Sequence, residues 1–217
     1  MNIPTVAILL NGNTVIDSSS FGIFKTNTAI ASGTYRIAMV GYVNGVADTL
    51  SSSALPLPSI TSFPAGVTYT AIVYDSLKTP LLYYQQNNVP TTVTVGRCSI
   101  RFFNLIPNSG AIYLANDTAT VTTGPGAGAG EVFLSARTFG DFGTYNAFAE
   151  IDTNTTTTIH IWNDTIPNGT VRFDSTSQLL MNYTDGLQSG KIYSFYLIGK
   201  IGETGTLKPR LIVKQEN

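Results

Sequence analysis

The chain has one cysteine and one histidine among 217 residues, and this scarcity removes several chemistries at once. Cys98 alone cannot form an intramolecular disulfide, so the fold is expected to rest on packing. It opens a predicted strand and reads as a small apolar filler. His160 would have to be the proton carrier of any Ser-His-Asp arrangement. It lies between Ile159 and Ile161 on a predicted strand and reads as a sheet-face residue beside Trp162. A His/Cys metal site takes three or four such ligands, more than the chain owns, and no Asp-x-Asp-x-Asp spacing supplies a calcium loop. No metal or cofactor is expected. Charge is equally thin, with 12% charged residues, a net charge of -1 and a pI near 5.7. Nucleic acid, which needs clustered Lys and Arg, is excluded as a partner on that ground. No apolar run approaches the roughly 20 residues of a spanning helix, so no transmembrane segment is expected.

What is abundant points one way. Hydrophobic residues make up 43% of the chain and mean hydropathy is +0.14, ample for burying cores and incompatible with a disordered chain. Thr, Val, Ile, Tyr and Phe dominate over strong helix formers, which predicts an all-β protein. Asn11-Gly12 between two apolar runs predicts a hairpin, because both residues tolerate positive φ. Predicted strands include 6–10, 35–42, 68–74, 80–86, 99–104, 111–115, 131–138, 145–152, 155–162, 179–183, 191–199 and 207–214, with 119–122 pairing back onto 111–115 about Asn116-Asp117. Ser99 to Asn104 is apolar on both faces, as a strand covered on both sides would be.

The pattern also repeats. Ile3-Pro4 followed by Ala7 to Asn11 reappears as Ile106-Pro107 followed by Ala111 to Asn116. Phe21-Gly22-Ile23-Phe24 reappears as Phe139-Gly140-Asp141-Phe142, and Gly66-Val67-Thr68-Tyr69 as Gly190-Lys191-Ile192-Tyr193. The separation grows in order from 105 (Asn11 to Asn116) through 118 (Phe21 to Phe139) and 124 (Gly66 to Gly190) to 130 (Leu77 to Leu207). Each increase is an insertion in the second copy, the glycine-rich run Gly124 to Gly130 being one. The reading is two tandem immunoglobulin-like antiparallel β-sandwich domains, 1–95 and 96–217, joined near Val95-Gly96. Arg101-Phe102-Phe103-Asn104 has no copy ahead of Ile3, so the first domain is expected to lack its opening strand. An exposed ladder edge should then lie beside 6–10 or 68–74, open to β-augmentation.

The run Ile100-Arg101-Phe102-Phe103-Asn104-Leu105-Ile106-Pro107, then Ala111-Ile112-Tyr113-Leu114-Ala115-Asn116, resembles the opening of the bacterial family called domain of unknown function 4397. Phe139 to Phe142, Gly190 to Phe195 and, in the first copy, Ser32 to Ile37 resemble further blocks of it. Asn154 to Thr157 departs from the pattern. The resemblance implies an immunoglobulin-like sandwich, often in tandem, in exported bacterial proteins that are often lipoproteins. It brings no activity and no catalytic residues. A lipidated cysteine, if there is one, would stand upstream of Met1.

Candidate sites are few. Asp141, Glu150 and Asp152 are close in sequence and read as solvated loop charges. The Gly124 to Gly130 run lacks the Gly-Lys-Ser/Thr of a phosphate cradle. Sequons at Asn116, Asn154, Asn163, Asn168 and Asn182 are expected by chance in so Thr-rich a chain. Aromatic residues supply the one candidate ligand-binding set, Tyr83, Tyr84, Tyr145 and Trp162, with Phe148 and Tyr183 in the same supply; exposed rings on a flat sheet can stack on sugars. The expected function is a non-enzymatic, exported cell-envelope protein, structural or adhesive, with a protein or glycan partner at the cell surface. The alternative is a carbohydrate-binding module.

Overall fold

The computed structural model describes residues 5–25, 28–43, 46–48, 61–74, 81–116, 132–141, 148–154, 158–164 and 179–217. Sixteen strands and one 3-10 turn, Gly205–Leu207, are the regular elements among them. The protein is all-β, as its composition predicts, with several antiparallel sheets. It divides into two compact units, Met1–Asn87 and Asn88–Asn217. The division falls after Asn87 and not at the predicted Val95-Gly96 junction, because the connecting residues fold onto the second unit. The Thr94 N–H donates to the Glu150 carboxylate at 3.3 Å, and the Thr94 carbonyl accepts from Arg97 N–H at 3.0 Å.

In the first unit, β1 (Thr5–Leu10) and β2 (Asn13–Ser20) form the predicted hairpin. Asn11 and Gly12 have φ of 51° and 81°, the two left-handed residues that a type I′ turn requires. Asn11 also grips a distant backbone: its side-chain oxygen accepts Arg36 N–H at 2.8 Å and its own N–H donates to the Arg36 carbonyl at 2.9 Å. Held there, the segment predicted as one strand from Tyr35 to Tyr42 breaks at Arg36 into β3 (Gly33–Tyr35) and β4 (Ile37–Val43), which join different sheets. With β5 (Val46–Asp48) the first sheet has the order β2-β1-β4-β5. Then β6 (Thr61–Phe63) pairs with β3, and β7 (Tyr69–Tyr74) pairs with β8 (Leu81–Gln86), giving two ribbons. Leu10 and Ile37 from the sheet meet Phe63 of β6, and Tyr69, Leu82 and Tyr84 of the other ribbon pack on them.

The second unit holds β9 (Arg97–Leu105), β10 (Ala111–Asn116), β11 (Val132–Arg137), β12 (Ala149–Asp152), β13 (Ile159–Asp164), β14 (Leu179–Tyr183), β15 (Ile192–Ile198) and β16 (Arg210–Gln215). They form two four-stranded sheets, β11-β10-β13-β14 and β12-β9-β15-β16. Ile112, Leu114, Ile159 and Ile161 of the first meet Cys98, Ile100, Phe102, Tyr193, Phe195 and Leu197 of the second in one core. This is sheet packed on sheet. One expectation needs correction. The pairing at the centre, β9 with β15, is parallel, from Ile192 opposite Ser99 to Ile198 opposite Leu105, so the sandwich is not wholly antiparallel. Among the described residues β10 pairs with β11 and β13; the segment 119–122, expected to pair back onto it, lies outside the described residues.

The two units share more than composition. The order β2-β1-β4-β5 matches β11-β10-β13-β14, and the β7-β8 ribbon matches β15-β16 down to register: Tyr69 faces Gln86 as Tyr193 faces Gln215. One residue further, Asn87 N–H donates to the Thr68 carbonyl at 2.8 Å, as Glu216 N–H does to the Ile192 carbonyl at 2.8 Å. At the first hairpin the inward facing pair is Leu10 with Ile37 in one unit and Leu114 with Ile161 in the other, so Leu10 takes the place of Leu114, as the order of the two sequence blocks has it. A slip of one would have turned every side chain to the wrong face. Among the described residues of the first unit, β9 has no counterpart. Of the two edges expected to be open, β1 is flanked by β2 and β4 and is closed, whereas among the described residues β7 is paired with β8 alone.

The turn out of β15 tests the framework. Gly199 has φ 118°, and a Cβ there would lie 2.7 Å from the Lys208 carbonyl oxygen and 2.8 Å from Pro209 Cα. Gly199→Ala is expected to lower the stability of the second unit by about 2–4 kcal/mol in chemical denaturation. A loss below about 0.5 kcal/mol, the usual surface effect, would contradict this geometry.

Candidate functional site: aromatic positions and a buried charge cluster

The aromatic candidates come to different ends. Trp162, on β13, keeps 7% of its surface, with its ring centroid 6.4 Å from that of His160 on the same sheet face. Tyr83 and Tyr84 are adjacent on β8 and so point to opposite faces. Both are half-buried. Tyr84 lies 6.2 Å, edge-on, from Phe63 and shares a hydrogen bond with the Thr61 hydroxyl, while the Tyr83 hydroxyl donates to Gln85. Tyr145 lies outside the described residues, as do the glycine-rich run 124–130 and Asn168. Of the wider supply, Tyr183 packs edge-on against Phe195 at 5.0 Å, and Phe148 lies under the guanidinium of Arg101 at 5.1 Å. The described rings are thus divided among separate packing environments.

The polar residues weighed for chemistry have structural partners. His160 Nδ1 is 2.8 Å from the Asn182 side-chain oxygen. Hydrogen bonds from the Thr94 hydroxyl and N–H hold the exposed Glu150 carboxyl below its usual range. Asp152 accepts the Asn154 N–H at 2.8 Å, and the buried Asn163 accepts Gly110 N–H at 2.8 Å. Cys98 is fully buried, and desolvation pushes its thiol up to about 12. Among the described residues no three or more His, Cys, Asp or Glu side chains converge as a metal site would require, and no helix is long and apolar enough to cross a membrane.

The feature that sequence reading missed is a charge cluster inside the central strands. Arg101 on β9 is 1% exposed, yet it carries a full charge. Its Nε donates to Ser194 Oγ at 2.6 Å and one terminal nitrogen donates to Glu216 Oε1 at 2.8 Å. Ser194 Oγ also donates to Glu216 Oε1, at 2.6 Å, and Lys214 Nζ reaches Glu216 Oε2 at 2.7 Å. The sheet brings these together because Arg101, Ser194 and Lys214 stand in one cross-strand row, β9 to β15 to β16, with Glu216 next on the same face. Phe103 extends the row by stacking on Tyr196 at 4.8 Å and 15°, and it sits 5.6 Å from the guanidinium. Burial works to raise the Glu216 carboxyl, but the donors Lys214, Ser194 and Arg101 outweigh it and hold it below the usual carboxylate range. The Arg-apolar pattern at Arg101 was visible in the sequence. Its partner, 115 residues away, was not.

The cluster faces inward: Nε and one terminal nitrogen of the guanidinium donate to fixed acceptors, aromatic rings flank it, and of the charged partners Lys214 reaches solvent, with 38% of its side chain exposed. Its effect is to pin three strands in one register. A scan against protein-family models and a search of curated proteins find no match to this chain.

Three outcomes follow from the cluster and from Cys98. Arg101→Met should cost about 3–5 kcal/mol by stranding a buried carboxylate, and the double change Arg101→Met/Glu216→Met should recover most of that in urea denaturation. Because the folded Glu216 carboxyl titrates below its unfolded value, its stabilisation is present above the unfolded value of about 4.5 and fades as pH falls through the folded one. Denaturation between pH 3 and pH 6 should therefore show a falling acid limb that Glu216→Gln flattens; an unchanged slope would contradict the assignment. Cys98 should stay unreactive toward a thiol reagent at pH 8 until denaturant is added, and rapid labelling of the native protein would show the strand to be open.

Proposed function

We propose that the chain is a non-enzymatic, exported cell-envelope protein in which two tandem immunoglobulin-like sandwiches serve as a structural or adhesive module. The observation that carries this reading is the use made of its few reactive groups. Arg101, Glu216, Glu150, His160 and Cys98 are engaged in holding strands and turns. What remains for function is the framework and its surfaces. Kinship with the bacterial domain of unknown function 4397 family, on the blocks around Arg101, Phe139 and Gly190, belongs to the same proposal, and so does a lipid anchor or other export route. The matching strand orders of the two units support the tandem reading. Binding of glycans has less behind it, since Trp162 keeps 7% of its surface and Tyr84 leans on Phe63.

Fractionation of the native host, with an antibody to the 217-residue chain, tests the proposal. The protein is expected in the envelope or the medium and accessible to protease on intact cells. Recovery in the cytoplasmic fraction alone would overturn it.

A further inference from the structure

Strand β7 has the sequence of an interior strand and the environment of an edge. Tyr-Thr-Ala-Ile-Val-Tyr is apolar on both faces, as expected for a strand with neighbours on both sides. Its counterpart β15 has that setting and is buried at every residue. In β7 only Ile72 is buried. Val73 is 36% exposed where Leu197 is 0%, and Ala71 is exposed where Phe195 is 0%. Tyr69, on the same face of β7, packs against the core cluster of the first unit, and Ala71 and Val73 beyond it are exposed.

The backbone says the same. Since the Thr68 carbonyl accepts from Asn87 N–H, alternation along an antiparallel ladder turns Thr70, Ile72 and Tyr74 toward β8, and Tyr69, Ala71 and Val73 away from it. In the second unit the equivalent residues, Tyr193, Phe195 and Leu197, turn toward β9. Among the described residues, no strand pairs with that side of β7. An apolar edge of this kind is a template for another strand.

A second observation is independent of the ladder. Asn87 occupies the position of Glu216, and its Oδ1 is buried with no hydrogen-bond partner among the described residues. A buried acceptor left unmade is costly, and such atoms are rare. Its equivalent, Glu216 Oε1, accepts from Arg101 on the strand beside β15. The other acceptor of Arg101, Ser194, has Thr70 as its equivalent on β7. The first unit thus retains the acceptor side of the arginine site, with an amide in place of the carboxylate.

We propose that the open side of β7 receives an extended segment of another polypeptide, running parallel to β7, with apolar residues opposite Tyr69 and Ala71 and an arginine opposite Thr70 whose guanidinium donates to Asn87 Oδ1. Strand β9 is the pattern for the occupant: Ile100, Arg101 and Phe102 stand opposite Tyr193, Ser194 and Phe195. The alanine at position 71, where the second unit has Phe195, leaves room for a large ring from the incoming strand. Main-chain bonds supply affinity in this mode and the alternate side chains supply selection. The inference holds wherever the protein resides and does not depend on the proposed function.

The test is a labelled synthetic peptide with the sequence of residues 97–106, Cys98→Ser, and a charged solubilising tail, titrated against the 217-residue chain by fluorescence anisotropy. Saturable one-site binding is expected. Replacing the peptide's Arg101 by Ala should weaken it about tenfold or more, the usual effect of losing a charged hydrogen bond. In the protein, Asn87→Glu should tighten binding of the arginine peptide several-fold and leave the alanine peptide unchanged. Ala71→Pro, which removes an N–H from the open side, should abolish binding. If that variant does not fold, Asn87→Glu carries the test, because it asks for a gain. No saturable binding would overturn the proposal. So would binding indifferent to both Asn87→Glu and the peptide's arginine, which would place the peptide elsewhere, such as in the seat of β9. A dimer of the chain that Ala71→Pro disrupts would also overturn it, since the edge would then belong to a second copy.

Discussion

A guanidinium with 1% exposure constrains everything around it. The donors of a buried guanidinium have to be answered where they lie. The answer comes from Ser194 and Glu216, and Lys214 shares the carboxylate. Those partners can reach Arg101 only if β9, β15 and β16 are adjacent and in one register, with β9 parallel to β15. A hydrophobic strand pair could slide by two residues and still bury apolar surface; one carrying this cluster could not without stranding a charge. Such an arrangement specifies register more than it adds net stability.

The two units share a strand order and a ribbon register, and among the described residues the first has no strand in the place of β9. With β9 present, β15 is sealed on both faces and edges, and Phe103 stacks on Tyr196 across the parallel pair. In the first unit, among the described residues, β7 and β8 form a two-stranded ribbon, and β3 pairs with the short β6 where β12 pairs with β9. Among the described residues of the first unit, Leu10, Ile37 and Phe63 form one buried cluster with partly buried Tyr35, Tyr69 and Tyr84 around it, and Ala7, Met39 and Ile72 are buried besides. Removing one strand from a sandwich costs two ladders and the side chains of both faces, so the deficit is larger than one strand's area.

Much of this was legible in residues. The hairpin at Asn11-Gly12 follows from two residues that accept positive φ, and the two-faced burial of 99–104 from its apolar run. The missing copy of Arg101 to Asn104 pointed to an edge beside 6–10 or 68–74; the first is flanked by β2 and β4, and the second has β8 on one side among the described residues. Other features were hidden for physical reasons. The break at Arg36 depends on a grip by Asn11 from 25 residues away, which no local pattern encodes. Parallel pairing of β9 with β15 is a long-range choice, and alternation looks the same in either direction. Aromatic residues were harder still: a Trp on the same strand face as a His says nothing of whether that face is covered, and the structure leaves Trp162 7% of its surface. The charge cluster escaped because Glu216 lies in the last turn of sequence, among polar residues that look solvated.

The central claim is that one framework appears twice, closed around β9 in the second unit and open along β7 in the first. Amide hydrogen exchange, resolved residue by residue, tests it most directly. Ser194 to Leu197 should be protected without alternation, to the level of global unfolding. Along β7, protection should alternate, with Thr70 and Ile72 slow and Ala71 and Val73 fast. Uniform slow exchange along β7 in the isolated chain would contradict the account, because it would mean that the open side already has its neighbour.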